Sequence, residues 1–136
     1  MPTRRRQSRI LALQTLYEAD TTGHDAEETL ERLLEGGDTT EEVKVFAREL
    51  VAGAVAERQH LDEVIARVAP AWPIEQMATI DRNILRLAIL EILLNNRTPV
   101  KAAINEAVEL AKSFGSDNSA KFVNGVLGSV SSMAAR

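Results

Sequence analysis

Four arginines, Arg4, Arg5, Arg6 and Arg9, stand within the first nine residues, and no acid precedes Glu18. A guanidinium offers a planar fork of N–H donors that matches phosphate and a flat face that stacks on bases, so a cluster of arginines reads as a grip for RNA or DNA. Four phosphate contacts on a single strand would contribute roughly 2.8 to the slope of log affinity against log salt. The plain alternative is a solvated basic tail. A second group lies near the other end, in "SDNSAKFVN", where Lys121 adjoins Phe122. Charge beside a ring is a pairing used on single-stranded nucleic acid, whose bases stack on aromatics. Spacing argues against that role for the ring, because Phe122, Val126 and Val130 share one helical face and make Phe122 core. Tyr17 and Trp72 read the same way, as core or rim aromatics. Glu106 and Glu109 stand three residues apart with lysines nearby, which is a solvated helix face and no catalytic pair.

Other chemistry finds no residues to carry it. No glycine-rich phosphate loop follows a strand, no HExxH is present, and no serine sits in a nucleophile elbow. The chain has no cysteine, and His24 and His60 are far apart. Metal, cofactor and enzymatic roles are therefore not expected. The basic start lacks an apolar signal region, and no run approaches the ~18 apolar residues of a membrane span, so the expected setting is soluble and cytoplasmic. Charge is segregated along the chain. Residues 1–17 hold four bases and no acid, 18–63 four bases and fourteen acids, and 64–136 eight bases and six acids, for a net −4. That division suits a protein that meets an anion with one surface and repels nonspecific contact with the rest.

The elements that must position these residues read as helices throughout, an all-α protein in a single domain over 1–136. The stripe Ile10, Leu13, Tyr17, with Ala12 and Leu16 beside it, extends back through Arg6, so the arginines belong to a helix that "TTGHD" ends. A second helix starts at Asp25, with Glu28 at capping-box spacing, and stops at Gly36-Gly37. Thr39 and Glu42 repeat that spacing before a long stretch whose stripe slips near "ERQH", which implies two helices or a kink. Pro70 to Pro73, "PAWP", break helix and mark a joint near 70–78. "IDRNILRLAILEILLNN" is apolar nearly all round and reads as the central helix, with Asp81, Arg82, Arg86 and Glu91 at its ends or on a narrow exposed strip. Pro99 opens the next helix, striped by Val100, Ile104, Ala107, Val108 and Ala111, and Gly115 closes it. "SDNS" caps a last helix whose Gly125 and Gly128 would admit a close neighbour.

The segment "VKAAINEAVELAKSFGSDNSAKFVNGVLGSV" strongly resembles the NusB family of bacterial transcription antitermination factors. "RRRQSRILALQTLYEAD", "LDEVI", Trp72 and "IDRNILRLAILEI" follow in the family's order, so the resemblance spans nearly the whole chain. It implies about seven helices in two packed subbundles and a role without catalysis. It further implies binding of boxA-type single-stranded RNA together with NusE, a small-subunit ribosomal protein, in complexes that make RNA polymerase resist termination, notably on ribosomal RNA operons. By the same resemblance Arg4, Arg5, Arg6, Arg9, Asn118, Lys121 and Phe122 lie on the RNA surface, which reverses the spacing argument for Phe122. Tyr17, Glu75 and Asp81 lie on the NusE surface, where acids would meet a basic protein. Asn118 departs from relatives that carry an acid there. Both monomer and homodimer are compatible with the resemblance. Two other functions compete: an RNA-binding accessory domain like that of some RNA methyltransferases, for which the chain is too short to add a cofactor fold, and a protein-only helical adaptor, which would leave the charge asymmetry unexplained.

Overall fold

The computed structural model describes residues 3–95 and 97–134, and among them every regular element is helical. Seven α-helices follow in order: α1 Arg4–Thr22, α2 Ala26–Glu35, α3 Glu41–Ala56, α4 Arg58–Val68, α5 Thr79–Ile89, α6 Val100–Phe114 and α7 Ser119–Ser131. A 3-10 turn, Ile74–Gln76, precedes α5, and a π-helical segment, Leu90–Asn95, continues it. The chain divides into two compact units, Met1–Ala56 and Glu57–Arg136. The division falls at the slip in the apolar stripe near "ERQH", and the proline segment lies inside the second unit.

In the first unit α1, α2 and α3 pack on one another. The Thr3 hydroxyl accepts the Arg6 N–H at 3.1 Å and starts α1, which makes the arginine cluster helical from its first residue. Gly23 ends the helix at φ 78, a left-handed conformation that favours glycine. Asp25 caps α2 by accepting the Glu28 N–H at 3.0 Å, whereas the cap of α3 falls on Thr40, one residue beyond Thr39, with the Val43 N–H on its hydroxyl at 3.4 Å. Leu13, Leu30, Leu34, Val43, Leu50 and Val51 fill the core. Burying each such side chain contributes about 2 kcal/mol, and the cluster accounts for the packing of the three helices. On the surface, Arg48 of α3 grips Glu31 of α2 with two hydrogen bonds of 2.9 Å, and that guanidinium holds the Glu31 carboxyl below the usual carboxylate range.

The buried face of α1 is rotated from the apolar stripe. Ser8, Arg9, Ala12, Leu13, Thr15 and Leu16 are buried, while Tyr17 is 42% exposed and Ile10 and Arg6 are half-buried. Counting apolar residues alone misplaces this face, because three of its members are polar and satisfied inside. The Ser8 hydroxyl donates to the Val43 carbonyl at 2.8 Å and Thr15 to the Leu11 carbonyl at 2.8 Å, so their burial leaves no orphaned hydroxyl.

In the second unit α5 packs against α4, α6 and α7, with Ile84, Leu85, Leu87, Ile89 and Ile92 almost wholly buried. Arg86 and Glu91 do not lie on an exposed strip: both are buried. Arg86 donates two hydrogen bonds to Asp62 on α4, at 2.7 and 3.0 Å, and a third to Asn83 at 3.0 Å. Glu91 accepts from the Thr98 hydroxyl at 2.9 Å. A bidentate partner makes a buried guanidinium tolerable, and no sequence period announces it.

Gly115 closes α6 in extended conformation, φ −92 and ψ −172, so its need for glycine is steric. A Cβ there would collide with Ser119 and lie 2.8 Å from the Ala111 carbonyl. Ser119 cannot retreat without loss, since it is buried and its hydroxyl accepts the Ser116 N–H at 2.9 Å, holding the turn into α7. Gly115→Ala should therefore cost about 1–3 kcal/mol, the range for overpacking, read as a lower urea midpoint at unchanged slope. Gly125 and Gly128 behave otherwise: both are exposed, and among the described residues nothing lies within 4 Å of a would-be Cβ at either.

Candidate nucleic-acid interface

The basic turn of α1 is braced by α3. Arg4 pairs with Glu42 at 2.6 Å, both side chains 64% exposed. Arg5 places its guanidinium carbon 4.0 Å from the centre of the Phe46 ring, and Arg9 places its own 5.5 Å from the same ring. Arg4 and Arg5 are exposed and Arg6 half-buried, so these three present charge to solvent. Arg9 is 6% exposed and packs into the first unit, a placement the apolar stripe did not foreshadow. Ring and guanidinium attract through the ring's negative face, which is how a charged side chain can stand on an apolar one.

The second unit carries a separate cluster. Trp72, Met77, Asp81, Asn118, Lys121 and Phe122 help line a cleft of about 430 Å³. Phe122 is half-buried and stands edge-on to Trp72, with ring centres 6.0 Å apart at 77°. Neither the core assignment drawn from spacing nor full exposure describes it, because one side of the ring meets Trp72 and another faces the cleft. Trp72, 57% exposed, lies in the turn after α4, where its backbone N–H donates to the Ala69 carbonyl at 3.0 Å. Asn118 precedes α7 and makes no capping bond with its side chain, so its amide stays in the cleft wall. Asp81 sits in the first turn of α5, and its Oδ1 is buried with no hydrogen-bond partner.

The structure thus gathers Asp81 with Asn118, Lys121 and Phe122, residues that the family resemblance divides between two partners. Glu75 is exposed on the 3-10 turn and does not line the cleft, and Tyr17 lies on α1 of the first unit. Sequence reasoning missed Phe46 and Glu42, whose i, i+4 spacing on an ordinary amphipathic helix gives no sign of what stands above them. Among the described residues no group of three or more His, Cys, Asp or Glu side chains could hold a metal, and no helix is long and apolar enough to cross a membrane.

Fold and surface together define a class: a small, all-helical protein with a braced arginine turn in one unit and an aromatic-walled cleft in the other. The model of the NusB family matches residues 6–132. The chain belongs to the NusB family. It is 56% identical over 131 residues to the transcription antitermination protein NusB of Dehalococcoides mccartyi strain CBDB1, an alignment that spans 96% of this chain and 92% of that protein. A solved structure of T. maritima NusB, 33% identical, matches with a TM-score of 0.91 over 100% of this chain and 96% of its own. A chain in the crystal structure of the antitermination factors NusB and NusE in complex with dsRNA, 25% identical, matches with a TM-score of 0.88 over 98% of this chain and 99% of its own. The resemblance read from the sequence and the all-α class are both borne out.

Proposed function

We propose that this chain is a transcription antitermination factor that binds boxA-type nascent RNA together with NusE and helps RNA polymerase resist termination, notably on ribosomal RNA operons. It works without catalysis, in the cytoplasm. The observation that carries this reading is the braced arginine turn: Arg4, Arg5 and Arg6 emerge from a capped helix docked by its buried face, so binding RNA orders less chain than a loose tail would. Family membership and the likeness to a NusB–NusE–dsRNA complex support it. Lys121, Phe122 and Asn118 would meet RNA at the cleft, Lys121 as a phosphate contact and Phe122 as a ring on which a base stacks. Tyr17, Glu75 and Asp81 would face NusE, and the acids would complement a basic ribosomal protein.

Arginine contacts to phosphate anchor a strand and carry little sequence information, so RNA alone should bind weakly and with little preference. A joint surface with NusE should add both affinity and selectivity. Titration of labelled boxA-type, scrambled and duplex RNA, each with and without NusE, tests this. An affinity for boxA-type RNA that NusE leaves unmoved would remove the joint surface from the reading.

A further inference from the structure

Arg5 and Arg9 stand one helical turn apart, a spacing at which like charges repel and side chains splay. Both guanidiniums nevertheless converge on one ring, at 4.0 and 5.5 Å from the centre of Phe46. Phe46 is 6% exposed in the core face of α3, so its position is fixed by packing, and the arginines come to it. Two further contacts hold the same junction in register: Ser8 donates to the Val43 carbonyl at 2.8 Å, and Arg4 reaches Glu42, one turn before Phe46.

We infer that Phe46 is a positioning residue for RNA binding: its ring aligns the guanidinium of Arg5, with that of Arg9 on the same ring at a longer distance, and presets the basic turn for phosphate. The inference rests on the reading of Arg4, Arg5 and Arg6 as facing RNA. A guanidinium over a ring engages the ring through its π surface, and its N–H donors remain available to an anion. The ring's negative face also offsets the repulsion between two neighbouring cations. Without it Arg5 keeps its charge and loses its place, and the ordering is then required at the moment of binding.

Replacing Phe46 by phenylalanines bearing one, two and three ring fluorines tests this, because fluorine drains the ring face of negative potential while nearly preserving shape and packing. Affinity for single-stranded RNA should fall stepwise along the series, to about three- to tenfold weaker with three fluorines, while helical circular dichroism stays in place and the urea midpoint drops only by the small ring–guanidinium attraction lost. In an Arg5→Gln background the decline should shrink to half or less. A flat series in a protein that binds RNA normally would overturn the positioning role and leave the function standing. An undiminished decline in the Arg5→Gln background would overturn it as well, because the ring would then act through something other than Arg5. If the unsubstituted protein binds no RNA at all, the proposed function fails and this inference fails with it.

Discussion

Replacing Arg4, Arg5 and Arg6 together by glutamine should lower the slope of log affinity for single-stranded RNA against log salt by about 2, at ~0.7 counterion released per phosphate contact. Between 50 and 200 mM salt this amounts to about a twentyfold loss of affinity that the unsubstituted protein shows and the variant does not. Arg9 is left in place because it is buried against Phe46, and removing it would confound binding with packing. The triple variant should fold, since Arg4 and Arg5 are exposed, Arg6 is half-buried, and the Thr3 cap uses only the backbone N–H of Arg6. Boxa-type and scrambled strands should weaken by similar factors, because phosphate contacts set position and not sequence. A folded variant with an unchanged slope would return the arginines to the status of a solvated tail.

Removing the carboxylate of Asp62 should have the largest effect on stability. The Arg86 side chain is 5% exposed and donates two hydrogen bonds to the Asp62 carboxylate, so Asp62→Ala leaves a guanidinium inside the second unit with only part of its charge answered. Breaking one side of such a pair costs about 3–5 kcal/mol. The lower end is expected here, because Asp62 itself is 26% exposed and water can reach the vacated side. Urea denaturation reads the effect directly. Replacing both partners, Arg86→Met with Asp62→Leu, should recover most of it, since an apolar pair of similar volume carries no unanswered charge. A loss below about 1 kcal/mol in the single variant would mean that the pair behaves as an exposed one.

What the sequence disclosed follows from what periodicity can register. The helices were legible because their apolar residues recur at three and four, and their ends because Asp25, Gly23, Pro99 and Gly115 mark caps and stops by residue type. The break at "ERQH" was legible as a slip in phase. The burial of Ser8, Arg9, Thr15, Arg86 and Glu91 was not, because a polar residue enters a core only through a partner distant in sequence, and spacing says nothing about Val43, Phe46 or Asp62. For the candidate site the arginines and "KF" announced themselves by composition. Phe46 stayed hidden among the apolar residues of α3, and the meeting of Trp72 with Phe122 is a tertiary contact that neither residue's own helix phase encodes.

The two open glycines of α7 have a consequence for motion. Glycine in a helix interior is destabilising by about 0.5–1 kcal/mol relative to alanine, and here two stand one turn apart on the exposed side with nothing packed over them. Local opening of α7 is correspondingly cheaper than that of α5, which is buried on nearly every side, so backbone amides of α7 belong to the less protected end of the exchange spectrum. Lys121 and Phe122 ride on the first turns of that helix, while Asp81 rides on α5. Amide exchange should therefore find the wall of the cleft that bears the lysine and the ring less protected than the wall that bears Asp81.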